Sequence, residues 1–225
     1  MELVLVRHAE PEWVRDGLAI DDPPLTERGF EQAERLADCL AEERFDEVVV
    51  SPLLRTRQTA APLLRHFALP LRTEPWLHEI RSPVWQGTPA EKAEAAFKAE
   101  RAKPSHDRWD GLPGGESVRD FVERIRAGAG SFLAERQVVA ARDDLPVWQV
   151  AKPGARVLFI AHAGTNAVLI CHLLGLQPVP WEWERFVLGH ASISRVEALE
   201  VGDGYTFSLT RLSDVEHLDK DQRTR

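Results

Sequence analysis

The sequence predicts an α/β protein: a three-layer α/β/α sandwich with a mostly parallel central sheet and a helical cap insertion. Three observations carry this expectation. Apolar runs of strand length occur at residues 3–6, 48–50 and 156–161; each stops abruptly at a polar turn; and each is followed by a segment with helical spacing. Alternating strand and helix signals of this kind favour a parallel sheet covered on both faces.

The first run ends at Arg7-His8, as a buried strand does when it delivers polar residues to the C-terminal edge of a sheet, where open α/β sheets bind ligands. Thr26 is a plausible N-cap for a helix reaching to about Arg44, with Ala33, Leu36, Ala37 and Leu40 on one face. The second run stops at Ser51-Pro52, before a helix that starts near Leu53 and includes Arg55, Gln58 and Leu63. Residues 76–113 break the rhythm with a polar loop, a charged, Ala-rich helix from about Pro89 to Lys103 and a Pro/Gly turn; they read as a cap within one domain spanning 1–225. Residues 137–153 read as an exposed excursion. The third run ends at His162-Ala163-Gly164, before a helix closed by Gly175, and residues 185–211 supply two or three closing strands.

A net charge of −8 argues against broad nucleic-acid or anionic-membrane binding, which needs a contiguous basic surface. No apolar stretch approaches the length of a membrane span, and a cytoplasmic location is expected. Cys39 and Cys171 lie far apart outside any metal pattern and are expected to be buried, reduced thiols. A homodimer is the commonest symmetric assembly, but nothing in the periodicity marks an interface.

Two imidazoles and two guanidiniums, from His8, His162, Arg7 and Arg55, would meet at one sheet edge, a combination suited to attack on a phosphoryl group whose charge must be offset. In its motifs the chain resembles the histidine phosphatase superfamily, the phosphoglycerate mutase-like proteins, over nearly its whole length. Leu5-Val6-Arg7-His8-Ala9-Glu10 is similar to the family's N-terminal signature, and Pro24-Leu25-Thr26-Glu27-Arg28-Gly29 with Gln32-Ala33 to its next segment. Residues 51–60, which contain Arg55, are the most specific stretch. Leu77-His78-Glu79 with Trp85-Gln86-Gly87, Pro113-Gly114-Gly115-Glu116-Ser117 and Ala161-His162-Ala163-Gly164 follow in the family's order.

The resemblance implies hydrolysis of a small phosphomonoester through a phosphohistidine on His8. It makes Arg7, Arg55 and a cationic or hydrogen-bonding His162 the phosphate ligands, His8, Glu79 and His162 the catalytic set, and Glu79 the general acid and base. No metal or other cofactor is implied. Ala9 and Ala163 replace glycines of the family pattern, Val14 and Pro11 stand where relatives carry hydrogen-bonding residues, and Pro83 and Gln86 alter the cap segment. Mutase-type transfer is the runner-up, although the Arg-His-Tyr-type segment expected after the acid is absent; a phospholigand-binding module with weak activity is the third reading. His66, His78, His106, His172, His190 and His217 share no ligand spacing and read as surface or packing residues. Trp85, Trp181 and Trp183 read first as packing residues, Arg81 as a surface ion-pair partner, and the helix from Glu91 to Arg101 as a solvated face.

Overall fold

The computed structural model describes residues 1–142 and 144–225. Among the described residues, ten strands alternate with six α-helices. The strands are β1 (Glu2–Arg7), β2 (Val14–Arg15), β3 (Leu18–Ala19), β4 (Glu47–Val50), β5 (Leu71–Thr73), β6 (Val138–Ala140), β7 (Trp148–Val150), β8 (Arg156–Ala161), β9 (Ile193–Val201) and β10 (Gly204–Asp214). The helices are α1 (Glu27–Leu40), α2 (Leu54–Ala60), α3 (Ala90–Arg101), α4 (Val118–Ala134), α5 (Ala163–Leu173) and α6 (Glu182–Arg185). Eight strands form one sheet in the order β5-β4-β8-β1-β9-β10-β7-β6, while β2 and β3 make a separate hairpin. The first four in that order are parallel; β9 and β7 run against them, β10 and β6 with them.

Alternation along the central strands separates two cores, because successive side chains point to opposite faces. Leu3, Leu5, Val157 and Phe159 face α4 and α5, where they meet Phe121, Ile125, Phe132 and Ile170. Val4, Val6, Leu158 and Ile160 face α1 and the α2 segment, against Leu36, Leu40, Ala60 and Leu63. Burial on both faces explains why these strands read as continuous apolar runs. The chain leaves β1 toward one face and its neighbour β8 toward the other, which opens a crevice between their C-terminal ends.

Capping sets the helix starts. Thr26 accepts from the Gly29 N–H at 2.9 Å and Ser117 from the Asp120 N–H at 3.0 Å. Gly175, at φ 67°, closes α5 with N–H bonds from Gly175 and Leu176 back to His172 and Cys171. The α1 helix ends at Leu40 rather than near Arg44: Glu43 turns away to pair with Arg156 and Arg195 at 2.6 and 2.7 Å, and Phe45 is buried edge-on against Phe67. Pro62 stops α2, so Leu63 lies in a following 3-10 turn and not in the α-helix.

The stretch expected as an exposed excursion instead forms β6 and β7, which extend the sheet and bury Val138, Trp148 and Val150; its short strands lacked a long apolar run. Asp143, within that stretch, lies outside the described residues. Cys171 is buried, but Cys39 is exposed on the outer side of α1. No helix among the described residues is long and apolar enough to cross a membrane.

Candidate active site

Three adjacent parallel strands end together. β1 delivers Arg7 and His8, β8 delivers His162, and β4 runs into Ser51 and then α2, whose first turn carries Arg55. Backbone bonds fix these exits: the His8 N–H donates to the Ala161 carbonyl at 2.9 Å, and the Ser51 N–H to the Ile160 carbonyl at 3.0 Å.

His8 is almost fully buried. Its Nδ1 lies 2.8 Å from the Ala9 carbonyl, which can only accept, so Nδ1 carries the proton and Nε2 keeps its lone pair. Burial holds its pKa well below the usual imidazole value, with Arg55 and Arg7 adding to the effect, so the ring is neutral. The His162 ring centroid lies 5.2 Å away. His162 is fully buried and does not line the cavity in front of His8. Its Nε2 sits 2.7 Å from Ser51 Oγ. Desolvation, then Arg55 and His8, push its pKa far down, which favours the neutral, hydrogen-bonding form. A hydroxyl can donate or accept at this contact: with Ser51 donating, the His162 proton rests on Nδ1, and with Nε2–H donating, Nδ1 keeps a lone pair.

Arg7 and Arg55 flank His8. Burial lowers both to about 10, the Glu79 carboxylate opposing that shift, so both remain charged at neutral pH. Arg7 Nη1 donates to the Leu188 carbonyl at 2.6 Å, while the Trp13 ring lies against the Arg55 guanidinium at 4.9 Å. Arg7 Nε, Arg55 Nε and Arg55 Nη1 are buried without a hydrogen-bond acceptor, Nη1 lying 3.6 Å from Asp22 Oδ1, and His162 Nδ1 is buried without a hydrogen-bond partner. Three guanidinium donors from two residues flanking His8 are what an anion site requires, since each is costly to bury without an acceptor.

Glu79 approaches from the segment after β5. Its carboxylate accepts from the Ile80 N–H at 3.0 Å and from the Gly164 N–H, in the first turn of α5, at 2.9 Å. These bonds and the two arginines favour the anion, but desolvation outweighs them and raises the pKa. A Cβ at Gly164 would come within 2.6 Å of Glu79 Oε1 and 2.4 Å of Trp183 Nε1, so only glycine allows this approach. Arg124 grips the segment from behind, donating through Nη1 to the Trp76 and His78 carbonyls at 2.9 Å each and pairing through Nη2 with Glu116 at 2.7 Å.

The structure thus brings Arg7, His8, Arg55, Glu79 and His162 together. The departures from the motif pattern have local accounts. The side chain of Ala9 packs with Leu25, Ala33, Ala191 and Leu218, away from the cavity, and Val14 sits half-exposed on the cavity wall. Gln86 accepts from the Asp21 N–H, and Asp21 from the Trp85 N–H at 2.9 Å, which ties the loop before α3 to the loop after β3. Sequence reasoning missed His190, which hydrogen-bonds Arg7, together with Thr224 and Arg124; none lies in a stretch with a readable motif. Residues 90, 93, 97 and 100 place one face of α3 along the cavity, so that helix is not only a solvated face.

A family model described as histidine phosphatase superfamily, branch 1, matches residues 3–212. The chain belongs to that superfamily. Among relatives of the superfamily, the chain is 28% identical to a probable phosphoglycerate mutase GpmB of Escherichia fergusonii, over 97% of this chain and 95% of the relative. Its fold matches that of the alpha-ribazole phosphatase from Shigella flexneri with a TM-score of 0.70, at 24% identity and with coverage of 95% and 96% of the two chains. It also matches a mycobacterial glucosyl-3-phosphoglycerate phosphatase solved with inorganic phosphate, with a TM-score of 0.70 at 26% identity, covering 97% and 99%. The superfamily's phosphoglycerate mutase-like architecture is the one described above.

Proposed function

We propose that this chain hydrolyses phosphomonoesters through a phosphohistidine on His8. The observation that carries the reading is the set of buried guanidinium N–H groups of Arg7 and Arg55 that lack hydrogen-bond acceptors, together with the unpartnered, buried His162 Nδ1, around a histidine whose Nε2 is free. Nε2 attacks phosphorus as the ester P–O bond breaks, while Nδ1–H stays on the Ala9 carbonyl. Arg7, Arg55 and the His162 Nδ1–H hold the non-bridging oxygens, so positioning and electrostatics supply most of the acceleration. Glu79, whose pKa burial raises, in its protonated form gives its proton to the departing alkoxide. As carboxylate it then takes a proton from water, whose oxygen attacks phosphorus and breaks the P–N bond. Phosphate leaves, and His8 and Glu79 return to their starting forms. Residues 76–113 act in this reading as a cap that contributes both Glu79 and the α3 wall of the cavity.

The test is phosphate release from a panel of phosphomonoesters with chelator present, comparing the native chain with His8→Ala. Turnover should fall by at least about a thousandfold, since loss of a nucleophile removes the covalent route. Turnover that survives His8→Ala sinks the mechanism. A second reading, mutase-type transfer, is favoured by the GpmB relatives. Interconversion of 3-phosphoglycerate without phosphate release would establish it in place of hydrolysis.

A further inference from the structure

The cavity in front of His8 has a volume of about 870 Å³, near the upper end of the range for drug-sized ligands. The phosphoryl group needs only its floor. Above that floor the wall is apolar: Trp13, Ile80, Trp85, Phe97, Leu112 and Trp183 line it. Apolar contact begins at the phosphate end, because Trp13 leans on the Arg55 guanidinium itself. Trp183 is held in place by stacking on Phe121, with centroids 5.6 Å apart and planes 17° from parallel, so that side of the wall is rigid.

The charged residues on the wall offer little to a second anionic group. Arg108 pairs with Glu184 at 2.8 Å, and Arg81 pairs with Glu116, which also holds Arg124. Arg101 is exposed at the end of α3 and shares its wall with Glu94 and Glu100. Asp21 and Asp22 add negative charge beside the phosphate end. A carboxylate or second phosphate attached to the alcohol would therefore leave water for an apolar surface on which, among the described residues and above the phosphate end, the one guanidinium without an ion-pair partner is Arg101, exposed to solvent at the end of α3.

From this wall we infer that the alcohol of the substrate is neutral and carries a bulky apolar, ring-containing group, and that the substrate has a single phosphoryl group and no other anion. The inference rests on the phosphomonoesterase reading, and the experiment separates the two. Binding is measured by calorimetry with two non-hydrolysable probes, naphthylpropylphosphonate and propylphosphonate, and with a carboxylate-bearing phosphonate of similar length. Burial of the naphthyl ring should tighten binding by roughly tenfold to a hundredfold over the propyl probe. Trp85→Ala and Phe97→Ala, each on a different part of the wall, should both shrink that ratio. Equal binding of the two probes that lack a carboxylate, tighter binding of the carboxylate probe, or a ratio untouched by both substitutions overturns the inference.

Hydrolysis is read separately, as phosphate released from naphthylpropyl and propyl phosphate, whose leaving alcohols have similar acidity. Turnover of both esters without preference retains the phosphatase reading and overturns the apolar-alcohol one. Selective phosphonate binding without turnover of either ester does the reverse.

Discussion

Arg7 and His190 are joined by a hydrogen bond of 2.8 Å, the guanidinium Nη2 donating to the imidazole Nε2. The other ring nitrogen, Nδ1, lies 2.9 Å from Thr224 Oγ1, and Gln32 Nε2 reaches the same hydroxyl at 3.1 Å. Burial, reinforced by Arg7, lowers the His190 pKa to about 3, so the ring is neutral and can accept from arginine. Arg7 is thus held from behind by the carbonyl of Leu188 and by a histidine fixed by the C-terminal segment, while its Nε remains unpartnered.

His190→Ala should therefore reduce kcat/KM by about tenfold to a hundredfold through misplacement of Arg7, with a weaker affinity for inorganic phosphate. Thr224→Val should give a smaller loss in the same direction. His190→Gln, whose carbonyl can still accept from Arg7, should recover part of the activity. A merely structural role would lower stability in all three variants without ordering their phosphate affinities, which titration with inorganic phosphate would reveal.

Glu79 makes a prediction about leaving groups. If it protonates the alkoxide, Glu79→Gln should slow alcohol release from alkyl phosphates in a single turnover by about a hundredfold to ten-thousandfold, but slow release of nitrophenolate from p-nitrophenyl phosphate far less, because nitrophenolate leaves without a proton. The pH profile should change as well. Burial raises the native Glu79 pKa, so the protonated acid is lost, and the rate falls, as pH rises through that raised value. His8 must be neutral, and its depressed pKa places the acid limb well below pH 6.5. Glu79→Gln should abolish the alkaline limb and leave the acid one. Equal slowing of the two alcohol-release steps, which precede the water step common to both esters, would rule out the proton-donor role.

Arg124 does not line the cavity, yet it binds the carbonyls on the approach to Glu79 and the Glu116 carboxylate. Arg124→Gln removes the fork that joins them. Since a displacement of about 1 Å at a reacting group can cost a hundredfold, kcat on alkyl phosphates should fall by roughly tenfold or more, with KM changing less. The p-nitrophenyl ester should again be spared if the damage passes through Glu79. Uniform loss on both esters would instead indicate general loss of the fold, which thermal unfolding would show independently.

The parallel half of the sheet was legible because its strands are buried on both faces and therefore read as unbroken apolar runs ending at reactive residues. Arg7, His8, Arg55 and His162 sit at those ends, and Glu79 was recognisable from its motif. β6 and β7 were not legible: they are short, each has one exposed face, and Trp148 and Val150 are too few to stand out from a loop. His190 and Thr224 escaped for a different reason. Their partners lie 183 and 192 residues away, at Arg7 and Gln32, so no local spacing reports the contact. The same holds for the apolar cavity wall, which is assembled from the loop after His8, α3 and the α6 region.

His172 provides a test of acid stability away from the catalytic groups. It packs edge-on against Trp148 at 5.7 Å, and burial, aided by Arg126, lowers its pKa from 6.5 to about 4. In the unfolded chain the imidazole takes up a proton as pH falls through 6.5, whereas the folded protein resists until about 4. The unfolded state therefore binds more protons between those values, and stability rises with pH across the window. The contribution is fully present above pH 6.5, is lost progressively as pH falls, and stops changing below about 4. Its slope approaches about 1.4 kcal/mol per pH unit in the middle of the window. His172→Phe keeps an aromatic ring against Trp148 but has no proton to gain. Urea unfolding of the two proteins should give stability curves whose slopes between pH 6 and pH 4.5 differ by roughly that amount, the variant being the less acid-sensitive. Parallel curves would show that His172 is protonated in the folded protein at the same pH as in the unfolded chain, and acid sensitivity would then lie with the buried histidines of the active site.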